Sequence, residues 1–204
     1  MTQPITLAID TAAPRLQLGL ALADGGCDVL VEDIAKGHAE IIFERIATLL
    51  ERNGLGHADL ERIAVTTGPG SFTGLRIGLS AARGLGLARK LPVVGVPSLQ
   101  AISLSAPPGQ PVSVLLDARR DEAYLQTFSA PGMPNGAARI LPMAEASAGV
   151  LAGSQLIESP FVDIGRMALF AAGVAPADYP PRASYVRDAD AKPQDGARIP
   201  RRQA

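Results

Sequence analysis

The segment Gly68-Pro69-Gly70-Ser71-Phe72-Thr73-Gly74-Leu75-Arg76-Ile77-Gly78 constrains this chain more than any other stretch. It follows a strand-like run at residues 63–67 and opens a long, nearly uncharged stretch of helical spacing that closes near Arg89 and Lys90. Gly68, Pro69 and Gly70 punctuate a turn, and the Ser71 hydroxyl can cap the helix that follows. Gly70, Gly74, Gly78, Ala82 and Gly86 recur every four residues and therefore line one helical face. Each interior glycine costs about 1 kcal/mol of helix stability against alanine, so such a row needs compensation by close backbone approach. Leu75, Ile77, Leu79, Leu85 and Leu87 cover most of the rest of the cylinder, leaving Arg76, Ser80 and Arg83 as a narrow polar strip. A helix apolar almost all round is buried on more than one side. One side is expected to meet the chain's own sheet, and the small residues are expected to admit a second protein.

Around this segment the periodicity alternates between two and 3.6. Residues 5–10 form an apolar strand ending on Asp10, and residues 16–23 and 29–34 give two more strands about an Asp24-Gly25-Gly26 turn. From His38 to Arg52 the pattern is helical: Ile42, Ile46, Leu49 and Leu50 line one face, while Ile41 and Phe43 widen the apolar arc beyond what one sheet needs. A strand at 62–67, the glycine-bearing helix, a strand at 92–96 and a helix after Ser98 follow. The order β-β-β-α-β-α-β-α is that of a ribonuclease H-like fold. Pro107-Pro108-Gly109 marks a boundary, after which residues 112–117 again run as an apolar strand into an aspartate, Asp117. Two such α/β halves in tandem are the architecture of the actin, sugar kinase and heat-shock superfamily. The expected division is residues 1–106, an abbreviated second half at 107–190, and a mobile tail at 191–204.

Four chemistries are weighed. Asp10 and Asp117 stand where this architecture organises metal and phosphate. Yet the loops after them, Thr11-Ala12-Ala13-Pro14 and Ala118-Arg119-Arg120, lack glycine, and Pro14 lacks an amide donor. They are taken as a vestigial phosphate site. His38 and His57 are the only histidines and fit no paired metal motif; His38 suits a helix start. Ser71 lies in no GxSxG elbow and has no base tied to it, which favours a cap over a nucleophile. The glycine turn could hold an anion with Arg76 or Arg83, but no lysine follows in Walker spacing. The single cysteine, Cys27, leaves no disulfide framework, and no uncharged run reaches membrane-spanning length, so a soluble cytoplasmic protein without cofactor or metal is expected. A formal net charge of −1 provides no broad field for nucleic acid. The basic cluster Lys192, Arg198, Arg201 and Arg202 reads as a solvated terminus ahead of a tRNA contact.

Residues 68–78, the opening Leu7-Ala8-Ile9-Asp10-Thr11-Ala12, Lys36-Gly37-His38, the stretch Leu115-Leu116-Asp117-Ala118-Arg119-Arg120-Asp121-Glu122-Ala123-Tyr124 and Tyr185-Val186-Arg187-Asp188-Ala189-Asp190 together resemble the TsaB (YeaZ) family. That resemblance implies a non-catalytic partner of TsaD in making threonylcarbamoyl-adenosine beside the tRNA anticodon, with TsaE in the larger assembly and tRNA engaged indirectly. It implies a helix-bundle interface, here assigned to Ile42, Ile46, Leu49, Gly70, Ser71, Phe72, Thr73, Gly74, Leu75, Gly78, Leu79 and Ala82, with a homodimer possible through the same helices. A bulky residue at Gly74 or Gly78 is then expected to abolish docking and leave the monomer folded. The competing reading is a stand-alone ATP-binding or peptidase-like enzyme that depends on Asp10 or Asp117.

Overall fold

The computed structural model describes residues 2–184; Tyr185–Asp190 and the basic terminal cluster lie outside the described residues. Three antiparallel strands open the fold, β1 (Thr6–Asp10), β2 (Leu16–Ala21) and β3 (Cys27–Glu32). Helix α1 (His38–Glu51) then crosses over to β4 (Arg62–Thr66), and α2 (Phe72–Arg89) crosses to β5 (Val93–Val96), both strands adding in parallel. The sheet order is β3-β2-β1-β4-β5. A short α3 (Ser98–Ser103) completes the expected β-β-β-α-β-α-β-α order.

The second half runs β-β-β-β-α-β-α, the first six elements of that order with one very short strand added. Strands β6 (Val112–Arg119) and β7 (Glu122–Ala130) form a hairpin, and a two-residue β8 (Met133–Pro134) and β9 (Arg139–Pro142) both pair with β7. Helix α4 (Met143–Ala148) leads to β10 (Gln155–Ile157), parallel to β6, and α5 (Ile164–Gly173) follows. This is a ribonuclease H-like fold in two tandem halves, the second abbreviated. Strands β8, β9 and β10 are too short and too mixed in polarity to show a period of two, which is why the sequence pattern does not announce them.

Alternation along β1 and β2 decides what covers each face of the first sheet. Leu7, Ile9, Leu16, Leu18 and Leu20 point to one side and form a core with α1 and α2. Ala8, Ala21 and Ala64 point to the other side, a trough shallow enough for α5. At Gly19, a Cβ would stand 2.5 Å from the Ile164 carbonyl, so the start of α5 rests on bare backbone. Helix α5 therefore covers the first sheet although it comes from the second half, and one core runs from Ala8 and Val94 through α3 and α5 to Val114 and Phe128.

Two arginines fasten this crossing. Arg62 of β4 donates from Nη1 to the carbonyls of Ala171, Ala172 and Val174 at 2.6–2.9 Å, closing the C-terminal end of α5. Arg166 of α5 does the same for the end of α3, through the carbonyls of Leu104 and Ala106. Both place a cation where a helix presents unpaired carbonyls.

Candidate partner-docking face

Helix α2 begins as its sequence dictates: the Ser71 hydroxyl accepts from the Gly74 amide at 3.2 Å, and Ser71 is a cap. The glycine row, however, faces inward. A Cβ at Gly74 would fall on the carbonyl of Thr11, one at Gly78 would lie 2.6 Å from the Thr11 hydroxyl, and one at Gly70 would lie 2.7 Å from the Ala12 carbonyl. Gly86 meets Val93 in the same way. The Thr11 hydroxyl donates to the Gly74 carbonyl at 2.7 Å, and Ser71 N donates to Ala12 O, so helix and loop lock together. The backbone admitted by the small residues is the chain's own β1 loop, which corrects the expectation of a second protein there. The companion expectation is corrected too: a bulky residue at Gly74 or Gly78 collides with the monomer's own loop.

The same holds for much of the expected interface. Ile42, Ile46, Leu49, Gly74, Leu75, Gly78, Leu79 and Ala82 are buried within the chain, whereas Gly70, Ser71, Phe72 and Thr73 are exposed. The open surface lies on another side of α2, in a groove of about 530 Å³ between α1 and α2. Its walls are Ala39, Phe43, Phe72, Thr73, Arg76 and Ile77, with Ile42 on the floor. Phe43 and Phe72 are 52 % and 53 % exposed, and two half-exposed aromatic rings on adjacent helices mark an interaction surface. Phe43 was legible as an excess apolar residue; Arg76 and Ile77 were seen only as parts of a strip and an arc.

The cleft between the halves, about 220 Å³, is lined by Asp10, Asp117, Tyr124 and Glu158 among others. Asp10 is fully buried, and its oxygens accept from Thr66 Oγ1 (2.6 Å), the Ala12 amide (3.1 Å) and Gln17 Nε2 (3.1 Å). Burial pushes its carboxyl above the usual carboxylate range, against those three hydrogen bonds and the nearby His38. A carboxylate whose acceptors already serve its own loop is poorly placed to organise metal and phosphate. The Ala12 amide, which a phosphate would need, is spent on Asp10. These residues do not fit a nucleotide's phosphates. Asp117, exposed, accepts from the Arg119 amide at the bulged β6–β7 turn, where Arg119, Arg120 and Asp121 all take positive φ.

His38 is buried at the first position of α1, after Gly37 at φ 91°, and its Nε2 finds no partner among the described residues. His57 begins a short turn beyond the other end of that helix. Among the described residues no cluster of three or more His, Cys, Asp or Glu could hold a metal ion, and no helix is long and apolar enough to cross a membrane.

Residues 25–132, more than half the chain, match the family model described as TsaD: tRNA N6-adenosine threonylcarbamoyltransferase. The tRNA threonylcarbamoyladenosine biosynthesis protein TsaB of Escherichia coli is 35 % identical over 58 % of this chain and 52 % of its own length. The chain belongs to the TsaB (YeaZ) family. An uncharacterized protein of Mycobacterium tuberculosis is 37 % identical over 92 % of this TsaB-family chain and 93 % of its own. The chain thus spans nearly all of the mycobacterial relative but about half the length of the curated TsaB proteins it matches. The solved structure of YeaZ from Pseudomonas aeruginosa shares the fold, with a TM-score of 0.73 at 23 % identity over 89 % of this TsaB-family chain and 99 % of that one.

Proposed function

We propose that this chain acts in tRNA threonylcarbamoyladenosine biosynthesis as a non-catalytic, cytoplasmic activator of TsaD. Docking runs through the α1/α2 groove, into which TsaD inserts two helices of its own to build a four-helix interface. The observation that carries this reading is the pair Phe43 and Phe72, half-exposed on neighbouring helices, whereas Phe128 is completely buried and Phe161 and Phe170 are partly buried. Family membership supports TsaD as the partner, and the internally satisfied Asp10 supports a scaffold over a nucleotide-cleaving enzyme. Docking holds TsaD in a competent shape, and an assembly that includes TsaE transfers the threonylcarbamoyl group to tRNA adenosine. In the absence of TsaD the exposed groove favours a two-fold homodimer through the same helices.

The test is size-exclusion chromatography of the full chain mixed with TsaD from the same organism, with Phe72→Asp and Phe43→Asp as comparisons. Co-elution of the wild type, lost in either variant while each stays folded by circular dichroism, is expected. Binding of Mg-ATP to the isolated chain by calorimetry, lost on Asp10→Ala, would favour a stand-alone enzyme instead.

A further inference from the structure

The arginines on and beside the two-helix face are nearly all engaged within the chain. Arg45 bonds Glu32 and Glu44; Arg52 holds the Asp28 carboxylate at 2.5 Å and 2.6 Å; Arg83 donates to the Pro181 carbonyl; Arg89 donates to that of Ala58 at 3.2 Å. Arg76 differs. Its guanidinium carbon lies 3.8 Å from the centroid of the Phe72 ring, and it makes no hydrogen bond or ion pair among the described residues. Stacking of this kind engages the flat face of the guanidinium and restrains it, while its N–H donors, which lie in the plane, stay available.

The surroundings then limit what can cover this group. Ala39, Phe43, Thr73, Ile77 and Ser80 complete the groove, so among the described residues the neighbourhood offers two hydroxyls, those of Thr73 and Ser80, and otherwise apolar surface. A partner that seals the groove must remove water from Arg76, and a buried cation without a compensating acceptor opposes binding strongly. The partner must therefore bring an acceptor of its own. We infer that Arg76 determines docking specificity by pairing, two N–H groups to two oxygens, with the carboxylate of an Asp or Glu on the incoming helix. This rests on the proposed docking function and adds the chemistry of the partner's surface. A carboxylate is favoured over RNA phosphate because Arg76 is the one cation lining the groove among the described residues, Glu40 and Glu44 occupy the exposed side of α1, and the formal net charge is −1.

The experiment is calorimetric titration of the full chain with TsaD at low and high salt, comparing wild type, Arg76→Gln and Arg76→Lys, with thermal midpoints recorded for each. Arg76→Gln is expected to weaken binding about tenfold or more at low salt and to flatten its salt dependence. Arg76→Lys keeps the salt dependence and regains only part of the affinity, because it lacks the planar fork. Midpoints stay close to wild type, since Arg76 is exposed and makes no hydrogen bond or ion pair among the described residues. Wild-type-like binding by Arg76→Gln overturns the inference, as does a loss of affinity with an unchanged salt slope, which would assign Arg76 to packing alone. Retained TsaD binding with lost tRNA binding would transfer the residue to phosphate recognition. If the wild type itself fails to bind TsaD, the docking function falls first, and that arm separates the two failures.

Discussion

Gly74 and Gly84 stand in one helix, yet substitution should move them in opposite directions. A methyl group at Gly74 collides with the Thr11 carbonyl, whereas one at Gly84 meets nothing within 4 Å. Gly74→Ala is expected to destabilise the fold by about 3 kcal/mol, and Gly84→Ala to stabilise it by about 0.5–1 kcal/mol; urea unfolding of the two variants measures both. Spacing alone revealed that the glycines share a face, because helical geometry fixes that, but it carried no information on which neighbour the face meets. That depended on the loop at Thr11–Ala12 turning back over α2, a long-range contact with no local pattern. Asp10 offers a second residue-level check. Burial raises its folded-state pKa above the unfolded value, so its contribution is fully present below the ordinary aspartate range and is lost as pH rises through the raised value. Asp10→Asn does not titrate, so its stability relative to wild type should increase as pH rises through that window, measured by urea unfolding across a pH series. A constant difference would show that the buried carboxyl titrates no differently in the two states.

At the scale of elements, α1 and α2 were legible almost to the residue, since their apolar positions repeat at helical spacing and Ser71 caps α2 as its residue type predicts. Ser71→Ala should cost about 1 kcal/mol, read as a shift in the urea midpoint. Harder to see was that α2 divides its surface three ways: glycines against the β1 loop, leucines in the core shared with α1, and Phe72, Thr73, Arg76 and Ile77 on the groove. An apolar residue in sequence does not declare whether its neighbour is the same chain or another. The interface expected at Ile46, Leu49 and Leu79 was core for that reason; Phe43 was already a surplus apolar residue and Phe72 an expected interface residue, but that the two share one open groove needed the structure.

For the whole molecule, α5 ties the two halves together, which the Pro107-Pro108-Gly109 boundary did not foretell. The trough of Ala8, Gly19, Ala21 and Ala64 looks, in sequence, like ordinary small residues in strands. It becomes a seat only when a helix from residues 164–173 arrives with Gly165, Ala168 and Ala171. A core continuous across both sheets should unfold as one cooperative unit, so fluorescence and circular dichroism transitions of the full chain are expected to coincide. Arg62→Ala, which strips three carbonyls of α5 of their donor, should lower stability by about 2–3 kcal/mol. Such a continuous core suits the proposed role of presenting a surface. The most direct measurement is therefore calorimetric titration of the full chain with TsaD, run beside Phe72→Asp. The account predicts a saturable heat for the wild type and none for the folded variant; equal binding by both, or none by the wild type, would contradict it.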